Sequence, residues 1–265
     1  MDKPVLHIIK IGGNVIDDES ALSAFLQQLQ QLNDPFILVH GGGKLASTLS
    51  KTLGIPAQLI DGRRVTDAQT LDLVTMVFAG LINKKIVAQL QAYQLNAIGL
   101  CGVDANIIPA TKRNNIPVDF GFVGDVNPEN ISTDNLHVLL NNKMFPVIAP
   151  ITHDGAGQLL NTNADTIAAT IAIALSRLYT TKLYYCFEKE GVLNDVNDNH
   201  SLIPELSQVA YSNLKKSETI YSGMLPKLDN AFDALNRNVN EVYILHALQF
   251  HLLINNTHAG TKLVR

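Results

Sequence analysis

The sequence predicts an α/β fold: a three-layer αβα sandwich around a mostly parallel sheet, with two lobes sharing that one sheet. Three observations carry this expectation. Short, almost continuously apolar runs, such as Leu6-His7-Ile8-Ile9 and Phe36-Ile37-Leu38-Val39, read as strands buried on both faces. Amphipathic helical stretches separate them, so strand and helix alternate along the chain. No repeat, low-complexity tract or long linker divides the 265 residues, of which 46% are hydrophobic, so one domain over 1–265 with a substantial core is expected.

The elements follow in order. Residues 5–11 read as a strand, and 20–32 as a helix with Leu22, Phe25, Leu26 and Leu29 on one face. Residues 36–40 form a short, fully apolar strand, and 44–53 a helix stopped by Gly54 and Pro56. Asp61-Gly62 signals a hairpin within 58–66. Residues 68–93 are a long helical stretch interrupted at Gly80, and 97–100 a strand. Residues 107–126 are turn-rich, with short alternating runs. Residues 133–142 are helical, and 145–151 a strand interrupted by Pro150. Residues 163–178, rich in alanine and isoleucine, predict a helix buried on most sides. Residues 182–187 and 241–245 read as strands, and 262–264 as a last one. Between them, Gly223 marks the entrance to a helix carrying Met224, Leu228, Ala231, Phe232 and Leu235.

Composition excludes several function classes. The net charge is −4 and no basic face stands out, so nucleic acid is not expected as a partner. Lys84-Lys85 and Lys215-Lys216 read as solvated helix positions. No apolar run approaches the roughly 18 residues that span a bilayer, so no membrane partner is expected. Met1-Asp2-Lys3-Pro4 leads straight into a strand, without a secretion signal. Two cysteines, Cys101 and Cys186, cannot build a disulfide framework and read as core residues, which fits a cytoplasmic setting. The P-loop, the G-x-G-x-x-G fingerprint, H-E-x-x-H, C-x-x-C and G-x-S-x-G are all missing. Asp195, Asn197 and Asn199 mimic the start of a calcium loop. His200 and Leu206 break that pattern, so no metal is expected on protein side chains.

The positive signals concern phosphate. Two strands run straight into glycine turns, Gly12-Gly13-Asn14 and Gly41-Gly42-Gly43-Lys44, where bare backbone N–H groups can converge on a polyanion. Lys10 sits mid-strand, where an unpaired ammonium would be costly, so it pairs with a carboxylate or faces a ligand. Gly62-Arg63-Arg64-Val65-Thr66 puts arginines at a hairpin end, where solvation is the ordinary reading. Asn161-Thr162-Asn163-Ala164-Asp165 puts polar groups at the start of the buried helix, where Asn163 could be an N-cap and Asp165 a dipole partner. Lys227 lies in a first helical turn, which the dipole disfavours unless an anion sits there.

With these motifs assembled, the chain resembles the amino acid kinase family, in particular its acylglutamate branch. The resemblance runs in order through Lys10-Ile11-Gly12-Gly13, Val39-His40-Gly41-Gly42-Gly43, Gly62-Arg63-Arg64-Val65-Thr66, Asn161-Thr162-Asn163-Ala164-Asp165, Gly223-Met224-Leu225-Pro226-Lys227 and His258-Ala259-Gly260-Thr261, covering essentially the whole chain. It implies transfer of the γ-phosphoryl of ATP to the side-chain carboxylate of N-acetyl-L-glutamate, or a related N-acylglutamate such as N-succinyl, in arginine biosynthesis. It also implies Mg²⁺ bridging the ATP phosphates. Lys10, Lys227 and Asp165 would be catalytic, with Asp165 between the lysines. Backbone amides of Gly12, Gly13, Gly41, Gly42 and Gly43 would bind phosphate, Gly42 and Gly43 also contacting substrate. Arg64 and Asn161 would hold the acylglutamate, with Asn163 a helper or only a cap. The lobe 1–175 would bind acylglutamate and dimerise, and 176–265 would bind nucleotide.

The chain departs from the family at Phe187-Glu188, where the family usually has serine or threonine and then aspartate beside the nucleotide. It also begins close to its first strand, whereas arginine-inhibited members carry an extra N-terminal helix that builds a hexamer. A homodimer insensitive to arginine is therefore expected, in contact through 68–93. The segment 107–126, with Lys112, Arg113, Asn114 and Asn115, either covers the site and offers a cation to a larger acyl group, or is an ordinary exposed loop. Competing readings are a carbamate, glutamate or nucleotide kinase of the same fold, and a non-catalytic ligand sensor.

Overall fold

The apolar run Val5–Ile11 (β1) lies in the middle of the principal sheet, because both of its faces are hydrophobic and need cover. In the computed structural model, which describes residues 3–55, 58–60, 63–114, 118–195, 197–198, 200–216 and 224–265, it is followed by Gly13–Asp17 (α1) and Glu19–Gln28 (α2). Asp18 caps α2 by accepting from the backbone N–H groups of Ser20 and Ala21. Next come Phe36–His40 (β2), Gly43–Thr52 (α3), and the hairpin strands Leu59–Ile60 (β3) and Arg63–Arg64 (β4). The predicted long helix is Ala68–Thr75 (α4) and Asn83–Ala92 (α5), joined by a π-helical turn at Met76–Ile82 that contains Gly80. Ala97–Cys101 (β5), Ala110–Lys112 (β6), Val123–Val126 (β7), Thr133–Asn141 (α6) and Phe145–Ala149 (β8) follow. Then come Ile151–His153 (β9), Leu159–Thr162 (β10), Ala164–Leu175 (α7) and Thr180–Phe187 (β11). The chain closes with Glu205–Ser207 (β12), Gln208–Lys216 (α8), Leu225–Asn236 (α9), Glu241–His246 (β13), Phe250–Ile254 (α10) and Thr261–Val264 (β14).

The principal sheet has eight strands in the order β12-β14-β13-β11-β1-β2-β8-β5, and every pairing is parallel except β13–β14. Helices cover both faces. Leu6, Ile8, Val39, Leu183 and Tyr185 face α7 and α9 in one core, whereas Ile9, Ile11, Leu38, Tyr184 and Cys186 face α2, α4 and α5 in the other. The strand period of two therefore assigns Lys10 to the α7 and α9 side, together with Tyr185. A four-stranded sheet, β6-β7-β10-β9, contains β10, the strand that leads directly into α7. This matches the expected αβα sandwich.

Several local expectations need correction. Pro150 divides 145–151 into β8 of the large sheet and β9 of the small one, rather than one interrupted strand. Asn161 is on strand β10, not at the start of the helix, because its backbone pairs with Val123 and Ile151. The sequence signals gave no α1, α8 or α10, each short or largely polar. The expectations for Pro56, Asp61-Gly62, Asn115, Asn199 and Gly223 fall outside the described residues.

Candidate active site

Strands β1, β2 and β11 all deliver their carboxyl ends to one edge of the sheet, where parallel α/β folds collect ligand-binding loops. The amino-terminal turns of α3, α7 and α9 meet there, bordering a cavity of about 580 Å³. Three helix starts bring partial positive charge and unpaired N–H groups to one space.

The glycine turns converge in this space. A Cβ built on Gly13 would stand 3.8 Å from the amide nitrogen of Gly43 and 4.0 Å from that of Gly42. The N–H groups of Gly13, Gly42 and Gly43 have no partner among the described residues. Two of the expected phosphate donors differ. Gly12 donates its N–H to the Cys186 carbonyl at 2.9 Å, and Gly41 donates to Ile11 at 3.3 Å, so both amides extend the sheet ladder. Gly12 and Gly41 thus shape the turns without presenting free donors. Gly42 has φ +140°, and a Cβ on it would overlap the side chain of Ile82 from the π-helical turn.

The turn is held from beneath by His40, which is fully buried. Its Nδ1–H donates to the Gly41 carbonyl at 2.8 Å, leaving Nε2 to accept from Asn83 Nδ2 at 3.2 Å. Burial lowers the His40 pKa to about 4, against the opposing effect of the Gly41 carbonyl, so the ring is neutral near pH 7.

Lys10 resolves the question its sequence position raised: it is paired with a carboxylate and also lines the cavity. Its Nζ is 2.7 Å from Asp165 Oδ1, while Lys227 Nζ donates to Asp165 Oδ2 at 2.9 Å. The aspartate, in the first turn of α7, stands between ammonium groups from β1 and α9. Burial by itself would push the Asp165 carboxyl up, but the two ammoniums outweigh it and hold the group well below the usual carboxylate range. Burial lowers the Lys227 pKa, opposed first by Asp165. Lys227 therefore tolerates a first-turn position that the dipole disfavours because a carboxylate meets it there.

At the far side of the cavity, Arg64 donates from Nη2 to the Gly43 carbonyl at 3.0 Å and to Ser47 Oγ at 2.6 Å. Its Nη1 is buried without a hydrogen-bond partner among the described residues, a donor left over for an anion. Asn161 donates to Thr66 Oγ1 at 3.1 Å and lines the cavity. Asn163 caps α7, accepting from the Thr166 N–H at 3.0 Å. Arg113 also reaches the cavity wall, where Asp125 pairs with it in bidentate fashion.

Sequence reasoning missed the part played by some neighbours. Ser47, which nothing in its sequence context marks, accepts from Arg64, and Thr66, quoted only as the end of the arginine motif, accepts from Asn161. Tyr185 and Phe187 lie beside Lys227, which the alternation of β11 opposite Lys10 could have indicated. Among the described residues no cluster of three His, Cys, Asp or Glu could hold a metal ion.

The arrangement can bind an anionic group on N–H donors, flank it with two ammoniums and fix a second anion at Arg64. The amino acid kinase family matches residues 6–246 of the chain. An acetylglutamate kinase of Cytophaga hutchinsonii is 51% identical over 261 residues, covering 98% of this chain and 98% of its own length. An acetylglutamate kinase of Bacteroides fragilis is 45% identical over 261 residues, covering 98% and 97%. The solved N-acetylglutamate synthase of Neisseria gonorrhoeae, complexed with coenzyme A and N-acetyl-glutamate, superposes with a TM-score of 0.83 at 22% identity. That match covers 100% of this chain and 60% of the synthase chain, and it shows the fold alone.

Proposed function

The chain belongs to the amino acid kinase family, and from that premise we propose that it transfers the γ-phosphoryl of ATP to the side-chain carboxylate of N-acetyl-L-glutamate, a step of arginine biosynthesis. The observation that carries this reading is the Lys10–Asp165–Lys227 bridge at the edge of the free amides of Gly13, Gly42 and Gly43. A carboxylate acceptor is already ionised at neutral pH, so no general base is needed. Catalysis then consists of holding two anions in line and neutralising the charge between them. In this account the three amides bind the travelling phosphoryl group. Lys10 and Lys227 approach it from the two halves of the molecule, and Asp165 keeps both ammoniums aimed. Arg64, with its spare Nη1 donor, takes the substrate's α-carboxylate, while Asn161 meets the acylamide. Asn163 acts as the α7 cap and borders the substrate.

Each oxygen of Asp165 faces a lysine ammonium, so Mg²⁺ would enter with the nucleotide, as part of that substrate, rather than on this carboxylate. The proposed division of labour gives 1–175 to the acylglutamate and 176–265 to the nucleotide. The exposed apolar side chains Met76 and Leu81 on the long helical run support a homodimer through that face. No helix among the described residues is long and apolar enough to cross a membrane, and the two cysteines are free, in keeping with a cytoplasmic setting.

The test is ATP-dependent acyl-phosphate formation trapped with hydroxylamine, comparing N-acetyl-, N-succinyl- and free glutamate with carbamate. Hydroxamate from N-acetylglutamate supports the reading. Preference for the succinyl compound reassigns the acyl group, with Arg113 the cation in reach of its extra carboxylate. No product from any acylglutamate overturns it.

A further inference from the structure

Tyr185 and Phe187 occupy alternate positions of β11, so both rings stand on the α7 and α9 face. The Lys227 ammonium lies 5.3 Å from the centre of the Tyr185 ring and 5.7 Å from that of Phe187. Both distances are within the range where a cation is drawn to an aromatic face. Tyr185 also donates its hydroxyl to the backbone carbonyl of Asp165 at 3.1 Å, so one side chain touches both members of the Lys227–Asp165 pair. Phe187 in turn abuts Gly12, whose Cβ position would be 3.3 Å from the Phe187 Cβ. The aromatic pair therefore connects the first glycine turn, the aspartate and the lysine of α9.

We propose that Tyr185 and Phe187 are positioning residues for Lys227, forming an aromatic cradle that keeps its ammonium protonated and directed at Asp165. This rests on the proposed kinase reading of the same site. The physical need is clear from the burial of Lys227, which is 9% exposed. One carboxylate is shared between two ammoniums, so Lys227 receives only part of a counter-charge. Two aromatic faces supply further negative potential without adding a formal charge that would repel ATP.

Among the described residues, the charged groups facing Lys227 are Asp165 from α7, Lys10 from β1 and Glu188 at the end of β11. Tyr185 itself stays protonated, its phenol pushed up by burial and by Asp165, and burial pushes the Cys186 thiol up against the opposing effect of Lys10 and Lys227. Lys227 is lowered by burial, so losing aromatic stabilisation lowers it further.

The experiment compares the parent chain with Phe187→Leu, Phe187→Met and Phe187→Tyr, measuring the pH dependence of kcat by hydroxylamine trapping. Leucine and methionine fill the space without a ring, and the second keeps the test readable if the first does not fold. The cradle predicts that the alkaline limb of kcat moves down by about half a pH unit to one and a half units in both ringless variants. Either substrate's KM changes little, and Phe187→Tyr restores the limb. A merely structural role lowers the melting temperature and leaves the limb where it was, which overturns the proposal. An inactive parent instead refutes the kinase reading, so the two failures are distinguishable.

Discussion

Asp165→Asn is the perturbation that probes the bridge most sharply. Asparagine keeps the shape of the side chain and removes its charge. Two ammoniums, 2.7 and 2.9 Å away in the parent and each about one-tenth exposed, then lose their shared counter-ion. Breaking a buried ion pair by removing one partner costs about 3–5 kcal/mol. For a domain of this size each kcal/mol corresponds to about 2–4 °C, so the melting temperature should fall by about 6–20 °C. The pH dependence has a definite sign. Asp165 is depressed in the folded state, so its contribution is complete above the unfolded carboxyl range and is lost only as pH falls through the much lower folded value. In the variant, Lys227 is depressed further by burial without a counter-charge. The unfolded chain then binds more protons than the folded one, and the variant gains stability as pH rises. Denaturant unfolding at pH 6, 7.5 and 9 should show a deficit that narrows toward alkaline pH. A deficit below about 1 kcal/mol, or one that widens with pH, would refute the reasoning.

Three further outcomes follow from the geometry. Arg64→Ala removes a charged donor whose Nη1 has no hydrogen-bond partner among the described residues, and should raise the acylglutamate KM by about 10–100-fold while kcat changes much less. An unchanged KM removes Arg64 from the substrate site. Gly42→Ala forces a side chain into φ +140° and into Ile82, and should destabilise by about 2–4 kcal/mol. Gly43→Ala meets nothing within 4 Å and should stay within about 1 kcal/mol, so equal effects in thermal melts would contradict the account of the turn. His7 is lowered by burial and then by Lys182, against Asp34, and it and His40 both reach about 4. Their unfolded values lie near 6.5, so the unfolded chain binds the extra protons between pH 6.5 and 4, and stability drops by about 1.4 kcal/mol per unit for each ring. Replacing His7 by Phe should remove about half of that slope in urea unfolding, and an unchanged slope would count against it.

Much of this architecture is written in local pattern. β1 and β2 coincide with their apolar runs, because a strand buried on both faces needs a continuous hydrophobic sequence. α7 was visible in its alanine and isoleucine content, with ten of its twelve residues buried. β10 was not visible: Leu159-Leu160-Asn161-Thr162 is short and half polar, and its strand state depends on pairing with β7 and β9. The π-helical turn was also hidden, because only Gly80 marks it in sequence, whereas Ile82 and Asn83 meet Gly42 and His40 only in the folded chain. For the site, Lys10 and Lys227 announced themselves by violating local rules, one in a buried strand and the other in a first helical turn. Their common partner could not be read from either segment, since only tertiary packing brings β1, α7 and α9 together. The roles of Gly12 and Gly41 differ for a related reason: a glycine run shows that amides can be bare, not which of them the neighbouring strand claims.

The central claim is that two ammoniums held by Asp165 steady a phosphoryl group in transit, and the turnover of Lys10→Met measures it most directly. With ATP and N-acetylglutamate saturating and product trapped as hydroxamate, kcat should fall on the order of 10²–10³-fold, in the range of a lost transition-state donor. Turnover near that of the parent, in a variant that melts as a folded protein, would contradict it.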